Sequence, residues 1–292
     1  MRPVAAAFRV MGIVNVTPDS FSDGGEWFER DAAIAHGRAL AAEGAAILDV
    51  GGESTRPGAA AVGAALELER IGPVVDALAG PGGPGSIVSI DTSKAAVAEA
   101  ALDAGAAIVN DVTALRGDPE LAALCAQRGC EVVLMHMQGS PRTMQEAPSY
   151  GDVVDDVRAF LAERLEAAVR AGIDENRIWV DPGIGFGKTT DHNLELLRRL
   201  GELRELGRPI VVGTSRKRFL GTLTGRDVDD RLGGTVASNV LALRAGADVF
   251  RVHDEREVRE ALVVAEAILG RRDWQVPAGA RSGSTGGPHH GR

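Results

Sequence analysis

Short apolar runs alternate with longer helical stretches along most of the chain. The runs have the length and composition of buried strands, and each is bounded by glycine, proline or polar residues. Such alternation predicts parallel strands covered by crossover helices. The eight predicted strands lie near residues 9–15, 46–50, 86–90, 106–110, 131–136, 177–181, 209–213 and 248–252. The eight predicted helices lie near 31–43, 62–79, 94–104, 118–128, 152–171, 191–206, 233–245 and 255–269.

A phrase that links a helix to the next strand occurs three times, at 43–49, 104–110 and 245–251. In each copy a glycine stands where a helix C-cap needs a left-handed residue. Eight strand–helix units in about 270 residues is the size of a TIM barrel. We therefore predict an α/β protein with a single (β/α)₈ barrel. The alternative is a doubly wound open sheet, which would tend to have fewer units and a glycine-rich fingerprint after its first strand.

The last part of the chain has a different composition. From about residue 271 it is rich in glycine, serine and proline and almost free of apolar residues. Such a segment cannot bury enough surface to offset its ordering entropy. We therefore predict a catalytic barrel over residues 1–270 and a disordered tail over 271–292.

The composition narrows the class of partner. Apolar residues make up 45% of the 292 residues and charged residues 25%, the balance of a soluble globular protein. The net charge of −9 argues against nucleic acid or an anionic membrane, and no apolar run is long enough to span a membrane. Cys125 and Cys130 fit buried hydrophobic positions better than a metal or redox motif. The opening segment lacks the pattern of a signal peptide, so we expect a cytoplasmic protein that binds small molecules.

In a (β/α)₈ barrel the active site lies at the carboxyl ends of the strands. Every predicted strand of this chain ends in a polar or charged residue. One such residue could be a structural cap, but eight together predict a polar pocket at the barrel mouth. The strand-end residues are Asn15, Asp49, Asp91, Asn110, Asp111, His136, Asp181, Ser215, Arg216, Lys217, Arg251 and His253.

The predicted pocket has two chemical halves. Asp91, Asn110 and Asp181 can form hydrogen bonds near the barrel axis, and a planar heterocycle with adjacent N–H and amino groups would satisfy a buried carboxylate there. The second half is suited to an anion, because arginine binds phosphate oxygens in planar, multidentate fashion. It comprises Asn15, Thr55, Arg56, Arg251 and His253.

Two motifs of other site classes do not fit. The glycine-rich run at 183–189 resembles a phosphate-binding loop, but the first glycine of that motif would fall on Pro182. We expect these glycines instead to keep the backbone close to a flat ligand beside Asp181. The chain has no zinc-type cluster of cysteine and histidine. Any metal is therefore expected to be Mg²⁺, held by substrate oxygens and one or two protein oxygens.

A set of motifs then identifies a family. The run NVTPDSFSDGG at 15–25 is followed in order by DVGGESTRPG at 49–58, SIDTSK at 89–94, VND at 109–111, MHMQGSPRTMQ at 135–145, DPGIGFGK at 181–188, TSRKRFLG at 214–221 and RVHD at 251–254. Together these resemble the dihydropteroate synthases, a family of pterin-binding TIM-barrel enzymes. The resemblance covers residues 9–254, nearly the whole predicted barrel.

The resemblance implies a role for each matching position. The pterin would contact Asp91, Asn110, Asp181 and Lys217, in a slot lined by Met135, Phe186 and Gly213. The diphosphate would contact Asn15, Thr55, Arg56, Arg251 and His253, with Asn15 also binding Mg²⁺. The p-aminobenzoate site would be bordered by Phe21, Thr55, Pro57 and Lys217. Arg218 also borders it, at a position where many relatives carry serine, so the contact there is left open. The residues expected to be catalytic are Asp91, Lys217, Arg251 and His253.

The implied reaction condenses (7,8-dihydropterin-6-yl)methyl diphosphate with p-aminobenzoate to give 7,8-dihydropteroate and diphosphate. The arylamine displaces diphosphate from a methylene carbon whose positive charge the ring delocalises, so catalysis is electrostatic, with Mg²⁺ as cofactor. The loop at 15–25 is expected to act as a lid over diphosphate. The resemblance further implies a homodimer and a sulfonamide target. Two alternatives stay open: a methyltetrahydrofolate-dependent methyltransferase domain and a pterin-binding barrel without synthase activity.

Overall fold

The computed structural model describes residues 8–17, 26–55 and 58–271, and in this part of the chain it confirms the predicted barrel. The strands are β1 Arg9–Asn15, β2 Ile47–Gly51, β3 Ile87–Asp91, β4 Ile108–Asp111, β5 Glu131–Met135, β6 Ile178–Asp181, β7 Val211–Val212 and β8 Val249–Val252. The helices are α1 Glu26–Glu43, α2 Ala64–Ala79, α3 Ala95–Asp103, α4 Leu121–Arg128, α5 Val153–Arg170, α6 Thr190–Arg198, α7 Arg218–Thr224, α8 Leu232–Ala245 and α9 Glu255–Ile268. Across these described residues no helix combines the length and apolar character that a membrane span requires.

All the strands are parallel, and their order is β6-β5-β4-β3-β2-β1-β8-β7. The barrel nearly closes between β6 and β7, where Val180 and Ile210 form a single bridge. There the Val180 N–H donates to the carbonyl oxygen of Pro209 at 2.9 Å. Pro209 has no N–H of its own to donate. Regular strand pairing in β7 is confined to Val211–Val212, which makes β7 shorter than the predicted 209–213.

Two helical predictions need correction. The predicted helix at 191–206 is in fact α6, which ends at Arg198, followed by a 3₁₀ helix at Leu200–Leu206. Gly201 lies near the break, and glycine lowers the stability of a continuous α-helix. The short helix α7 was not predicted, because its seven residues are too few to display a helical periodicity. The predicted tail at 271–292 lies outside the described residues, apart from Arg271.

An apolar layer fills the centre of the barrel. Side chains from seven strands form it: Met11, Ile47, Ile108, Val133, Trp179, Val211 and Val249. The residues next to them along the strands, such as Leu48 and Phe250, face outward and pack under the helices in two further clusters. Because side chains alternate between the two faces of a strand, residues two positions beyond the central layer again point into the barrel, at its carboxyl end.

Candidate active site

This alternation assembles a largely polar set at the barrel mouth. Two positions beyond the seven residues of the central layer lie Ile13, Asp49, Asn110, Met135, Asp181, Gly213 and Arg251. Asp91 ends β3 and is paired in register with Gly51 at the end of β2. The structure therefore brings the predicted residues Asp91, Asn110, Asp181 and Arg251 to one end of the barrel.

Arg251 is held between two carboxylates. Its Nε donates to Asp49 Oδ2 at 2.6 Å, and its Nη2 donates to Asp91 Oδ2 at 2.7 Å. Asn110 Nδ2 donates to the same Asp49 oxygen at 3.0 Å. From sequence, Asp49 is only a polar strand end with no assigned role. In the structure it is fully buried and ties Arg251 to Asn110.

Asp91 and Arg251, two groups of this network with shifted pKa values, differ in whether they change charge near neutral pH. Burial raises the pKa of Asp91 to about 7, against the opposing effect of Arg251, and the negative charge of Asp49 adds to the rise. Burial alone would lower the pKa of Arg251, but the charges of Asp49 and Asp91 outweigh it and the pKa rises. Arg251 thus stays cationic, while Asp91 exchanges its proton near neutral pH.

Asp181 presents a free acceptor to the mouth. Its Oδ1 accepts the Gly183 N–H at 2.7 Å, whereas its Oδ2 makes no hydrogen bond to the residues that the structure describes. Burial raises the pKa of Asp181, and the Gly183 amide and the charge of Lys217 oppose that rise. Gly183 has a φ of 65°, and a Cβ on it would lie 1.9 Å from the His136 carbonyl oxygen. The turn that fixes Asp181 therefore requires glycine.

A slot beside Asp181 is lined by apolar side chains and by the Lys217 ammonium. Lys217 Nζ lies 4.1 Å from the centroid of the Phe186 ring, close enough for a cation–π interaction. Burial lowers the pKa of Lys217 to about 8, and the charge of Arg251 lowers it further. A small apolar cluster continues the wall, formed by Met135, Met137, Met144 and Phe186 with Val112 packed against it.

Side chains of the loop after β7 contact the loop after β8 at two adjacent positions. Ser215 Oγ accepts the backbone N–H of His253 at 3.1 Å and lies 3.1 Å from His253 Nδ1. One residue further along both loops, Arg216 donates from Nε and Nη2 to the two Asp254 carboxylate oxygens, at 3.1 and 2.5 Å. This double contact holds His253 beside Arg251 at the end of β8. Burial lowers the pKa of His253 to about 3, and the charges of Arg251 and Arg216 lower it further, so the imidazole is neutral at pH 7.

The remaining anion-site predictions are only partly covered. Asn15 ends β1 in register with Gly51, and Thr55 follows β2; both are half-buried. Arg56 lies outside the described residues, as do Phe21 and Pro57 of the predicted acceptor site and most of the predicted lid at 15–25. Arg218 is described: it is the first residue of α7 and is exposed.

The donor set at the mouth fits a cation that is held mainly by its substrate. Within 8–17, 26–55 and 58–271, no group of three or more His, Cys, Asp and Glu residues could hold a metal ion. Asn15 supplies an amide oxygen at the strand end, and its side chain has no hydrogen-bond partner among those residues. A single oxygen ligand suits Mg²⁺, which usually keeps several waters and binds through substrate phosphates.

Two predicted strand-end residues do not join the pocket. Asp111 accepts hydrogen bonds from the N–H groups of Thr113 and Leu115, at 2.8 and 2.7 Å, and so closes the turn after β4. The His136 ring packs edge-on against Phe160 of α5, with centroids 4.8 Å apart. Both residues are one position out of phase with the central layer, so the expectation that all eight strand ends form one pocket is wrong.

Lys188, at the end of the glycine-rich run, contacts the backbone of that run and the His136 ring. It is buried, and its Nζ donates to Phe186 O at 2.9 Å and lies 2.8 Å from His136 Nδ1. Burial lowers the pKa of Lys188 to about 7, although the negative charge of Asp181 opposes the change. Lys188 therefore supports the turn that carries Phe186 and does not serve as the lysine of a phosphate-binding loop.

An ion-pair cluster at the root of the β2–α2 loop was also missed from sequence. Lys94 donates to Glu53 and, at 2.5 Å, to the fully buried Glu67. Glu53 in turn accepts the Val62 N–H at 3.1 Å. Lys94 is 41 positions from Glu53 and 27 positions from Glu67, so no local sequence pattern connects the three residues. The cluster anchors both ends of the loop that carries Thr55.

A family model described as pterin binding enzyme matches residues 11–253. The chain therefore belongs to the pterin-binding enzyme family, as its motifs predicted. It is similar to the dihydropteroate synthase of Escherichia coli strain K12, with 45% identity over 264 residues that cover 90% of this chain and 93% of the relative.

Solved structures agree with that assignment. The Xanthomonas albilineans dihydropteroate synthase with 4-aminobenzoic acid has a TM-score of 0.84 and 50% identity, covering 90% of this chain and 93% of that one. The Yersinia pestis dihydropteroate synthase with a sulfonamide drug complex has a TM-score of 0.84 and 44% identity, covering 90% and 94%.

Proposed function

We infer that this chain is a transferase that condenses (7,8-dihydropterin-6-yl)methyl diphosphate with p-aminobenzoate, giving 7,8-dihydropteroate and diphosphate. The observation that carries this inference is one barrel mouth that holds both a carboxylate-bearing slot and an arginine–histidine pair. The relatives, which match over nearly their whole length, are named for the same activity.

The slot has the groups that a pterin needs. The free Oδ2 of Asp181 can accept from a ring N–H or the adjoining amino group, and Asp91 is a second acceptor across the mouth. Phe186 and Met135 provide apolar surface for the flat ring. As the leaving group departs, positive charge grows on the pterin, and the two buried carboxylates stabilise that charge more strongly than they would in water.

Arg251 and His253 stand where the diphosphate would leave. Arg251 is cationic throughout the working pH range, so its interaction strengthens as negative charge collects on the departing oxygens. His253 is neutral and can donate one hydrogen bond to the same group. The amino nitrogen of p-aminobenzoate forms a bond to the methylene carbon as the C–O bond to diphosphate breaks, and the proton that the nitrogen loses passes to diphosphate or water. The displacement is direct, so no residue of this chain becomes covalently attached to substrate.

We propose that Asn15 holds Mg²⁺ together with the diphosphate oxygens. Bound there, the ion would neutralise part of the charge on the leaving group. Removal of divalent cations with a chelator is therefore expected to lower the rate, and added Mg²⁺ is expected to restore it.

The acceptor would enter beside Lys217 and Thr55, with the exposed Arg218 at the rim. The Y. pestis relative was solved with a sulfonamide drug. We therefore propose that sulfonamides compete with p-aminobenzoate for this chain.

The direct test mixes the full chain, Mg²⁺, the pterin diphosphate and p-aminobenzoate, and follows diphosphate release together with formation of 7,8-dihydropteroate. Both products should appear in equal amounts. Arg251→Ala should lower turnover about 10- to 1,000-fold, because an interaction that strengthens in the transition state is lost. Pterin binding without product would support the alternative of a binding protein. Methyl transfer from methyltetrahydrofolate would support the methyltransferase.

We further propose a homodimer that forms through α8 and α9. These helices pack side by side and leave Leu241, Val264 and Ile268 more than half exposed, at 60%, 58% and 80%. A second copy of the chain would cover this apolar face. We also propose a cytoplasmic location, which suits two buried cysteines that remain free thiols.

A further inference from the structure

The hydrogen bonds around the Ser215 hydroxyl determine which nitrogen of the His253 ring carries the proton. Ser215 is 4% exposed, so its hydroxyl is largely cut off from water. It accepts the backbone N–H of His253, which can only be a donor. A serine hydroxyl also carries one proton, and a buried donor without an acceptor is costly.

His253 Nδ1 is the acceptor that this proton can reach. It lies 3.1 Å from Ser215 Oγ, and no other side-chain or backbone acceptor for this hydroxyl occurs in the described parts of the chain. If Nδ1 carried the ring proton, the hydroxyl would accept twice and its own proton would stay unmatched. The satisfied arrangement has the Ser215 O–H donating to Nδ1, so the single ring proton of neutral His253 resides on Nε2.

We propose that Ser215 is a positioning residue that holds His253 as its Nε2-protonated tautomer, so that Nε2–H donates to the departing diphosphate. This inference deepens the proposed function and rests on it. Donation from Nε2 transfers no proton: the imidazole stays neutral, and the departing charge is stabilised by a directed N–H group beside the Arg251 cation.

The surroundings of Ser215 keep it from rotating away. Arg216 has a φ of 55°, an unfavourable left-handed conformation for a residue with a side chain. Three contacts hold it there: the ion pair with Asp254, a bond from its N–H to Thr235 Oγ1 at 3.0 Å, and a bond from Arg231 Nη1 to its carbonyl oxygen at 3.0 Å. Local strain that is maintained by several contacts is common at functional sites.

The charges around His253 favour a neutral ring. The charges of Arg251, Arg216 and Lys217 disfavour imidazolium, whereas the charge of Asp254 favours it. Asp254, however, is already bound in bidentate fashion by Arg216. A neutral donor of fixed orientation is thus what the loops after β7 and β8 can provide.

The first experiment reads the tautomer in the ligand-free protein. Nitrogen NMR of protein labelled with ¹⁵N-histidine distinguishes a protonated from an unprotonated ring nitrogen, and His253→Gln identifies the resonances. Wild-type protein should show Nε2 protonated and Nδ1 unprotonated at pH 7. Ser215→Ala should lose this preference. A wild-type His253 protonated on Nδ1, or on both nitrogens, would overturn the proposal whatever the enzyme's activity proves to be.

The second experiment measures what the tautomer does. Ser215→Ala should weaken binding of inorganic diphosphate with Mg²⁺ and lower kcat by about three- to tenfold each, the effect of one neutral hydrogen bond. The matched control is Ser86→Ala, which removes a hydroxyl bonded to Ala45 O at the opposite end of the barrel. It should leave both quantities unchanged.

A second pair of variants does not depend on Ser215 folding effects. Glutamine places an amide N–H₂ near the position of Nε2, whereas asparagine places one near Nδ1. His253→Gln should therefore keep several-fold more activity than His253→Asn. Equal losses in the two variants, or an unchanged kcat in Ser215→Ala, would remove Ser215 from the mechanism while leaving the synthase assignment intact.

Discussion

At the residue scale, the two oxygens of Asp181 have different tasks, because Oδ1 accepts the Gly183 amide and Oδ2 is free. Asp181→Asn can keep the first bond but offers an NH₂ group in place of the free acceptor. Loss of a charge-assisted bond to the pterin is worth about 1.5–3 kcal/mol, or roughly 10- to 150-fold in affinity. The apo protein should keep or raise its Tm, since burial disfavours the charged form of Asp181.

Calorimetry with the pterin diphosphate and thermal melting of the apo protein test this prediction together. Asp76→Asn is the control, because Asp76 is an exposed carboxylate on α2. If Asp181→Asn bound pterin normally, or unfolded instead of losing only its ligand, Asp181 would be a structural cap.

The pH dependence of kcat/KM should be bell-shaped. Burial raises the pKa of Asp91 to about 7. Below that pH the carboxylate that stabilises a cationic pterin is protonated, and activity falls. Burial lowers the pKa of Lys217 to about 8. Above that pH its ammonium charge is lost, and activity falls again. Asp91→Asn should abolish the acid limb, and Lys217→Met should abolish the basic limb. A wild-type profile that stayed flat from about pH 6 to 9 would contradict both assignments.

At the scale of elements, the glycine-rich turn after β6 tests whether backbone geometry sets the pterin slot. In Gly183→Ala the new Cβ would lie 1.9 Å from the His136 carbonyl oxygen, so the turn must shift and move Asp181. We expect a loss of pterin affinity and a loss of stability well beyond the roughly 1–2 kcal/mol that the left-handed conformation alone costs.

Gly207→Ala is a matched control for this prediction. Gly207 has a φ of 66°, against 65° for Gly183, and nothing lies within 4 Å of its would-be Cβ. It precedes β7, at the opposite end of the barrel from the mouth. It should show only the conformational cost and normal pterin binding. Equal effects of the two substitutions would mean that contact with His136 O is unimportant.

How far the sequence predicted these elements follows from what each pattern depends on. Short apolar runs and polar strand ends are local properties, so all the strands and the residues Asp91, Asn110, Asp181 and Arg251 could be found from them. The sequence pattern did not show which face of the sheet each strand-end side chain takes. Asp111 and His136 were also predicted as strand ends, but they lie one position out of phase with the central layer: Asp111 closes the turn after β4, and His136 packs against Phe160 of α5. Predicted boundaries were uncertain by one residue, and one residue decides which face a side chain takes.

At the scale of the whole molecule, the contacts that sequence could not supply join residues far apart in the chain. Asp49 and Arg251 are separated by 202 positions, and Lys94 and Glu53 by 41. Closing the barrel brings the first of these pairs together at the mouth. The polar network around Arg251 is thus a consequence of the barrel topology, and no local sequence pattern predicts it. The motif resemblance found Arg251 but gave Asp49 no role.

The dimer is the last prediction, and it concerns the face of the barrel formed by α8 and α9. Leu241 and Val264 are 60% and 58% exposed there, and a stable interface buries on the order of 1,000 Å² or more, which a face of two helices can provide. Light scattering should give the native protein twice its chain mass of 30.4 kDa. Val264→Asp should shift it to the monomer, because an unpaired carboxylate would be buried in the interface. Val169→Asp should stay dimeric, since Val169 is 40% exposed on α5, away from both helices. A native protein of single-chain mass would refute the dimer, and a Val264→Asp dimer as stable as the native one would place the interface elsewhere.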